Sequence, residues 1–352
     1  MAIPKISFGI IVLNGQPFTH YCLKSLYTFA HEIIIVEGAS YSAKEVATAD
    51  GHSKDDTLNV IRNFIKNHDP LKKVTLVTAE DQGHPNGFWP GEKDQQSQAY
   101  AARATGDYLW QVDIDEFYMP QEMNRVIMLL QQDPTISGMS FKTKTFWGST
   151  DVTVDGPFLL RGAEIYQRLF KWGKGYRYAT HRPPTVLDEQ GVDVMKKNFL
   201  HGTHLAKKHA IYMLHYSLLF PKQVKEKAEY YQRLKQYDYQ PMEWYKQAYR
   251  QLNWPFRYHN VYLHRSWLLR YLGGTPDEVS NMIADIKNKK YDCLLREDTD
   301  VKKLLGSWRY QLNRTFWQLF WPYESSVFRV KKAIQKRIMR LLKRCHLVTK
   351  VN

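Results

Sequence analysis

The first 150 residues alternate between short, densely apolar runs and longer stretches with apolar residues at helical spacing. The apolar runs predict buried β-strands at residues 6–13, 32–36, 73–77 and 108–112. The periodic stretches predict helices at residues 17–29, 55–66 and 99–104, and the Gly-, Pro- and Asn-containing segment 83–91 predicts a loop. Such alternation is typical of an α/β fold with a mainly parallel sheet, flanking helices and ligand sites at the carboxyl ends of the strands.

The second half of the chain has a different pattern. Residues 137–177 are aromatic and β-like, and the sequence His181-Arg182-Pro183-Pro184 interrupts regular structure. After residue 221 the apolar spacing predicts helices at 223–236, 241–252, 259–271 and 276–288. A helical C-terminal extension is therefore expected beyond the sheet.

Two acidic residues follow directly from the fourth predicted strand, in the sequence Gln111-Val112-Asp113-Ile114-Asp115-Glu116. Strand alternation would send Asp113 and Asp115 to the same face, at the end of the sheet where side chains are exposed. Two carboxylates there can hold a hard divalent cation, whose charge offsets that of a diphosphate leaving group. An isolated Asp-x-Asp is more often a pair of solvated carboxylates at a turn, so its context decides.

That context resembles glycosyltransferase family 2. Four ordered segments between about residues 5 and 150 carry the resemblance: residues 7–13 followed by Asn14, residues 33–37 followed by Gly38-Ala39-Ser40, the element Asp50-Gly51-His52-Ser53-Lys54-Asp55-Asp56-Thr57, and residues 104–108 leading into residues 113–117. The resemblance implies a GT-A type, Rossmann-like fold. It also implies a nucleoside-diphosphate sugar as donor and a divalent metal, Mn²⁺ or Mg²⁺, as cofactor.

The resemblance assigns donor-binding roles to residues of the first half. Glu37 and Asp50 match residues that contact the nucleoside, and Asp113 matches a residue of the donor and metal site. A long polar insertion separates Glu37 from Asp50. Where the family commonly has Arg-Asn and a Gly before the metal motif, this chain has Ser97, Gln98 and Tyr100, and we expect Lys93 to supply the positive charge instead.

Metal ligands are expected to include a histidine from the second half, because relatives with this fold often add a histidine well after the Asp-x-Asp. His215, in Leu214-His215-Tyr216-Ser217, is the chosen residue, and neutral imidazole suits a carboxylate site. His201 and His204 are competitors. The predicted metal ligands are therefore Asp113, Asp115 and His215.

An inverting transferase needs a base to remove the proton of the acceptor hydroxyl. Glu189 is the first candidate and Asp188 the second, because the proline-stiffened turn before them would hold the pair in place; Glu164 is a further carboxylate in the same region. A solvated pair in a loop is the competing interpretation. Packing explains aromatic residues more often than ligand contact does, but four that lie in loop or strand-end contexts are also candidate sugar contacts: Trp89, Phe146, Trp147 and Trp172.

Charge is concentrated at the C-terminal end. The 352 residues carry a formal net charge of +15, and residues 300–352 contain thirteen Lys or Arg and two acids, a net +11. This distribution argues against a nucleic-acid-binding protein and for a cationic appendage. The three cysteines match neither a zinc site nor a disulfide framework, and no leader or membrane span is evident, so a cytoplasmic location is expected.

The appendage has amphipathic spacing. Residues 328–345 place apolar side chains three and four positions apart with basic residues between them, and the aromatic segment 316–323 precedes them. This pattern indicates peripheral attachment to an anionic membrane through residues 316–345, with docking onto the rest of the protein as the alternative. The expected domains are 1–220 (donor half 1–118, acceptor half 119–220), a helical extension 221–300 and a basic tail 301–352.

Together these observations predict a metal-dependent, inverting glycosyltransferase of the hexosyltransferase type, acting on a glycan or lipid-linked acceptor. The alternative is a non-catalytic glycan- or membrane-binding scaffold with the same fold. A nucleic-acid-binding role is the weaker rival.

Overall fold

A computed structural model of the chain describes residues 2–91, 93–156, 159, 165–234, 240–260 and 265–320. Contacts within the chain divide it into two compact units. The first consists of residues 1–153, 164–224 and 271–296, and the second of residues 154–163, 225–270 and 297–352. This division differs from a linear series of domains, because residues 271–296 return to the first unit.

The described elements are, in chain order, β1 (Ile6–Val12), α1 (Phe18–Tyr27), β2 (Glu32–Glu37), α2 (Thr57–His68), β3 (Val74–Val77), α3 (Lys93–Ala101), β4 (Tyr108–Asp113), β5 (Glu116–Phe117), α4 (Pro120–Gln132), β6 (Gly138–Trp147), β7 (Val152–Asp155), β8 (Ile165–Lys171), β9 (Arg177–His181), β10 (Pro184–Leu187), β11 (Phe199–Leu200), α5 (Gly202–His209), β12 (Met213–Leu218), α6 (Pro221–Leu234), α7 (Pro241–Trp244), β13 (Trp267–Arg270), α8 (Asp277–Lys287) and α9 (Thr299–Gly306). Short 3₁₀ turns occupy Tyr41–Val46, Glu80–Gln82 and Val194–Lys196, and Tyr245–Arg250 is π-helical. Residues 308–320 are also helical.

The main sheet of the first unit is largely parallel. Strands β3, β2, β1 and β4 are parallel neighbours in that order, and β8 then joins β4 and β6 as an antiparallel strand. Strand β12 runs parallel to β6 and antiparallel to the short β5. The mainly parallel sheet with flanking helices that the sequence predicts for a GT-A type fold is confirmed.

Burial explains why the parallel strands read as continuous apolar runs. Successive residues of a strand point to opposite faces, and both members of the pairs Ser7 and Phe8 in β1 and Leu109 and Trp110 in β4 are fully buried, as strands covered on both faces require. Trp110 stacks on Phe141 of β6 with ring centroids 5.2 Å apart. This packing fixes the carboxyl end of β4, where the acidic motif begins.

Helix α8 belongs to the first unit because it packs on α1. Its apolar face, Val279, Met282 and Ile286, is buried in the same core as α1. Tyr21 of α1 donates a hydrogen bond of 2.6 Å to Asp285. The chain re-enters the second unit after this helix, at residue 297.

One predicted helix of the second unit is wrong. Residues 259–271 were expected to be helical, but Trp267–Arg270 forms strand β13. Trp267 and Leu268 are fully buried, and the Tyr310 hydroxyl donates to the Leu268 carbonyl and accepts from its amide. Periodicity alone does not separate a short buried strand from a buried helix.

Across the described part of the chain, every helix is too short or too polar to cross a lipid bilayer. The predicted amphipathic segment 328–345 lies outside the described residues.

Candidate functional site

The acidic motif lies at the end of β4, but strand alternation does not position both of its aspartates. Strand β4 ends at Asp113, and Ile114 and Asp115 form a turn before β5 begins at Glu116. The expectation that alternation sends both side chains to one face was therefore wrong. Their positions are set by different partners, Arg168 on one side and His215 on the other.

Asp113 is held by a buried arginine. Arg168 of β8 donates from Nη2 to Asp113 Oδ2 at 2.9 Å and to Glu116 Oε1 at 2.5 Å, and from Nε to Glu116 Oε2 at 2.9 Å. Glu116 also accepts a hydrogen bond from the Asp113 amide, at 3.1 Å. The Arg168 side chain is 6% exposed and that of Glu116 is fully buried. One guanidinium thus fastens the turn from two sides.

Two cations, Arg168 and Lys93, act on Asp113. Burial alone would raise the pKa of Asp113, but the positive charge of Arg168, reinforced by Lys93 and by two histidines, His181 and His215, lowers it well below its usual range. Burial raises the pKa of Glu116 despite the same arginine. Asp113 is therefore ionised at neutral pH.

Asp115 has a separate set of neighbours. Its Oδ1 lies 3.6 Å from His215 Nε2, and its Oδ2 accepts a hydrogen bond of 3.3 Å from Gln223 at the start of α6. The two residues meet because β12 pairs with β5, with His215 opposite Glu116, and because the Tyr216 amide donates to the Asp115 carbonyl at 2.9 Å. The side chains of Asp115 and His215 are 15% and 14% exposed, so both are partly accessible.

The donor chemistry at this turn fits a hard divalent cation incompletely. Asp115 and His215 supply an oxygen and a nitrogen of the types that Mn²⁺ accepts. Asp113, the third predicted ligand, already shares its Oδ2 with Arg168. Among the residues that the structure describes, no three His, Cys, Asp or Glu side chains are grouped to hold a metal. An ion held here would have to complete its shell with phosphate oxygens and water, as Mg²⁺ commonly does.

Glu37, the predicted nucleoside contact, is buried and fully engaged. Its Oε1 accepts from the Ser53 amide at 2.8 Å, and its Oε2 lies 2.7 Å from His52 Nδ1. The other ring nitrogen of His52 lies 3.1 Å from Glu80 Oε1. Glu37 therefore holds His52, which belongs to the polar insertion after β2. His52 in turn connects this insertion to Glu80 in the loop after β3.

Asp50 and Lys93 differ in their placement. Asp50 is exposed, and a hydrogen bond from Thr48, a local contact in the same turn, lowers its pKa. Lys93 begins α3, and its positive charge lowers the pKa of Asp113. The structure thus brings Lys93, rather than Asp50, close to the acidic turn.

A hairpin of strands β9 and β10 carries its turn towards Asp113. His181 at the end of β9 is 6% exposed, its Nδ1 lies 2.7 Å from Ser97 Oγ, and Asp94 accepts from its amide. Burial lowers the pKa of His181 to about 4, although Asp113 acts to raise it. His181 is therefore neutral at pH 7 beside the acidic turn.

The same hairpin carries Asp188 and Glu189 in the other direction. Arg177 pairs with Leu187 at the far end of the hairpin. Glu189 lies beside Gly175 at that end, because a Cβ atom placed on Gly175 would contact Glu189 Cβ. At about 3.3 Å per residue, the four steps from Arg177 to His181 span roughly 13 Å. Glu189 is exposed at that far end.

Asp188 is used within its own loop. Its Oδ1 accepts from the amides of Gln190 and Val192, at 2.9 and 2.8 Å, and Lys197 lies against its Oδ2. The choice of Glu189 or Asp188 as catalytic base stays a prediction, and the position of the hairpin weighs against it. Glu164 lies outside the described residues.

The remaining candidates are structural. His201 is the N-cap of α5 and accepts from the Thr203 amide, and His204 is exposed on that helix. The four candidate aromatic residues are at least 92% buried, as the favoured packing interpretation expects: Trp89, Phe146, Trp147 and Trp172. Their apolar neighbours in the core explain their placement.

Arg168 and His181 are site residues that the sequence interpretation missed. Arg168 lies within an aromatic β-strand, where it has no motif around it, and only the pairing of β8 with β4 brings it to Asp113. A charged residue in the middle of a strand-like apolar run was the available signal, because such a residue is rarely buried unless it is paired. His181 stood in the identified proline turn, and its contact with Ser97 depends on the packing of β9 on α3.

Neither a protein-family model nor a curated protein sequence matches this chain. Solved structures do match. The chain is similar to S. aureus TarS, with 16% identity over 40% of this chain and 22% of that chain and a TM-score of 0.29. A structure of TarS residues 1–349 has 13% identity over 70% of this chain and 69% of that one, with a TM-score of 0.37.

A third match is glucosyl-3-phosphoglycerate synthase from Mycobacterium tuberculosis, solved with Mn²⁺, UDP and glucosyl-3-phosphoglycerate. It shows 17% identity over 41% of this chain and 44% of that chain, with a TM-score of 0.28. TarS and this synthase are glycosyltransferases with the GT-A fold. This chain spans less than half of the synthase and under a quarter of full-length TarS, and similarity at this level assigns no activity to it.

Proposed function

We propose that this chain is a GT-A type glycosyltransferase of the family 2 kind. It would transfer a hexosyl group from a nucleoside-diphosphate sugar to a glycan or lipid-linked acceptor, with inversion and with a divalent metal, Mn²⁺ or Mg²⁺. The observation that carries the proposal is the approach of His215 Nε2 to Asp115 Oδ1, 3.6 Å apart across 100 residues of sequence. That contact lies beside an ionised Asp113 at the carboxyl end of a central parallel strand.

In this proposal Asp115 and His215 hold the metal, with Asp113 beside them. The metal, when bound, supplies positive charge that stabilises the departing nucleoside diphosphate. Arg168 keeps Asp113 and Glu116 in fixed positions, so the turn is formed before the donor arrives. Lys93 adds a cation near Asp113 that is suited to a phosphate oxygen.

The nucleoside end of the donor would lie over the ends of β1 and β2. Glu37 and Asp50 remain the proposed residues for this part of the donor, with Glu37 acting through the loop that it fastens rather than by direct contact. That division follows from the burial of Glu37 and the exposure of Asp50. Glu189, then Asp188, stay the candidate acceptor bases, although the β9–β10 hairpin carries both away from Asp113.

We also propose that the enzyme works at an anionic membrane surface, to which its cationic tail attaches it. The support is the net charge of +11 in residues 300–352 and the amphipathic spacing of residues 328–345. Such attachment would suit a lipid-linked acceptor.

Donor binding tests the catalytic proposal. A panel of nucleotide sugars, each with and without Mn²⁺, is screened for thermal stabilisation of the full-length chain, since a ligand at 100 times its Kd stabilises the folded state by about 2.7 kcal/mol. We expect one sugar nucleotide to stabilise the wild type only with metal, and Asp115→Asn to abolish both this effect and transfer.

The matched control is Asp277→Asn, a change at an exposed aspartate in the first turn of α8, which should respond as the wild type does. If no sugar nucleotide binds with or without metal, the chain is the non-catalytic scaffold of the alternative interpretation. Metal-independent transfer by the Asp115 variant would remove the metal role of the turn.

A further inference from the structure

The helix formed by residues 308–320 of the second unit exposes a continuous apolar stripe. Five large apolar residues on it are between 48% and 71% exposed: Trp308, Leu312, Phe316, Leu319 and Phe320. Phe316 and Phe320 stack on each other with centroids 4.3 Å apart. Monomeric proteins rarely expose large apolar side chains in a contiguous group, so this stripe indicates an interaction surface.

Helical geometry places all five residues on one side. At about 100° per residue, they fall within an arc of roughly 120°. The opposite side faces the second unit: Tyr310 is buried, stacks on Phe256 with centroids 5.3 Å apart, and hydrogen-bonds Leu268. Arg265 lies over the ring of Trp317, 3.3 Å from its centroid. The helix is thus anchored by one face and presents the apolar stripe on the other.

One cation lies directly on the stripe. Arg309 follows Trp308 and lies over its ring, 5.5 Å from the centroid. In the preceding helix α9, Lys303 is exposed and Lys302 forms an ion pair with Asp298. Asp300 and Glu324 are the only acidic residues in the 53 positions from 300 to 352. An apolar stripe of Trp, Phe and Leu with basic neighbours matches an anionic lipid surface, where rings enter the headgroup boundary and cations meet the lipid phosphates.

We propose that the stripe from Trp308 to Phe320 inserts into the interface of an anionic membrane and is the apolar anchor of this protein. This inference rests on the proposed membrane attachment but moves the point of insertion upstream, from the cationic tail to a helix packed on the second unit. The tail would then add electrostatic attraction. Binding would depend on both the stripe and the lipid charge.

Vesicle flotation of the full-length protein tests the proposal. One set of vesicles consists of phosphatidylcholine alone. The other contains about 30% phosphatidylglycerol, which gives the membrane an anionic surface. We expect the wild type to bind the anionic vesicles only. The double variant Trp308→Ser with Phe316→Ser should partition onto them about tenfold less or weaker still, because each ring that enters the membrane removes a large apolar area from water. The control combines Asn313→Ser with Gln318→Ser, two exposed polar positions of the same helix, and should bind within about twofold of the wild type.

Each other outcome overturns the proposal. Equal binding by the wild type and the stripe variant would show that the tail alone attaches the protein to the membrane. If the wild type does not bind vesicles, a membrane is not the partner of the stripe. Concentration-dependent dimerisation that the stripe variant abolishes, without vesicle binding, would assign the stripe to a second copy. Vesicle binding that appears only after removal of residues 324–352 would show that the protein's own tail covers the stripe. Donor-induced thermal stabilisation, measured in parallel, reports on the transferase proposal separately.

Discussion

Two carboxylate clusters lie at the carboxyl ends of the parallel strands β2 and β4, which flank β1. The clusters differ in how many of their carboxylate oxygens are already bonded within the protein. At the end of β2, Glu37 is fully buried and both its oxygens are bonded inside the protein, to Ser53 and His52. At the end of β4, Asp113 shares one oxygen with Arg168, while Asp115 stays partly accessible beside His215. Position at a strand end therefore does not make a carboxylate a ligand; the donors around it decide.

The largest expected effect comes from breaking the acidic turn itself. Arg168→Met leaves Glu116 buried without its ion-pair partner, and removal of one partner of a buried pair typically costs about 3–5 kcal/mol. We expect the free energy of unfolding, measured by denaturant titration, to fall by about that amount. Lys225→Met removes an exposed cation of the Lys225–Glu229 pair and should change it by less than about 1 kcal/mol. Similar losses in both variants would show that Arg168 does not hold the turn.

Removing the His215 imidazole tests whether Asp115, unlike Asp113, lies in a metal site. His215→Ala should weaken Mn²⁺ binding in the presence of nucleotide by roughly 10- to 100-fold, as loss of groups around a metal commonly does. The measurement is a Mn²⁺ titration followed by paramagnetic resonance. His204→Ala, at an exposed histidine of α5, serves as the control and should leave the affinity unchanged. An unchanged affinity in the His215 variant would exclude it as a ligand.

The Glu37 cluster should respond to pH. His52 faces Glu37, Glu80 and Asp50; burial lowers its pKa, but the hydrogen bond and charge of Glu37 outweigh this and leave the pKa above 6.5. Because the folded-state pKa is raised, the resulting stability is fully present below about pH 6.5 and is lost as pH rises through the folded value.

We therefore expect His52→Ala to lower the free energy of unfolding by about 1–2 kcal/mol at pH 6 and by less at pH 9. Denaturant titration at the two pH values measures this. His31→Ala, which removes a histidine with an exposed hydrogen bond to Thr105, is the comparison and should lower the free energy of unfolding by less than about 0.5 kcal/mol. A larger loss at pH 9 than at pH 6 would reverse the assigned sign.

The smallest effect is expected at the far end of the β9–β10 hairpin. Glu189→Gln should leave the transfer rate within about twofold, because the hairpin carries this side chain away from Asp113. A general base contributes typically 10²- to 10⁴-fold, so a loss of that size in kcat would restore Glu189 as the base. Gln190→Ala, the neighbouring exposed position, is the matched control.

The predictable part of the fold was the part determined by local pattern. Runs such as residues 6–13 and 108–112 became β1 and β4 because both faces of a parallel strand are buried, which leaves a dense apolar signature. The strand at Trp267–Arg270 was misread as helix because four residues are too few for periodicity to decide. The return of α8 to the first unit depends on contacts with α1 that no local pattern contains.

The sequence by itself determined the α/β architecture, the position of Asp113 and Asp115 at the end of a central strand, and the concentration of positive charge at the C-terminal end. Only the tertiary structure decided which carboxylates are engaged: Arg168 reaches Asp113, and His52 closes over Glu37, through pairings between distant segments. It also turned the hairpin so that His181, and not Glu189, faces the acidic turn. The physical reason is that burial patterns are local along the chain, whereas hydrogen bonds and ion pairs in a site join residues that meet only after the strands have paired.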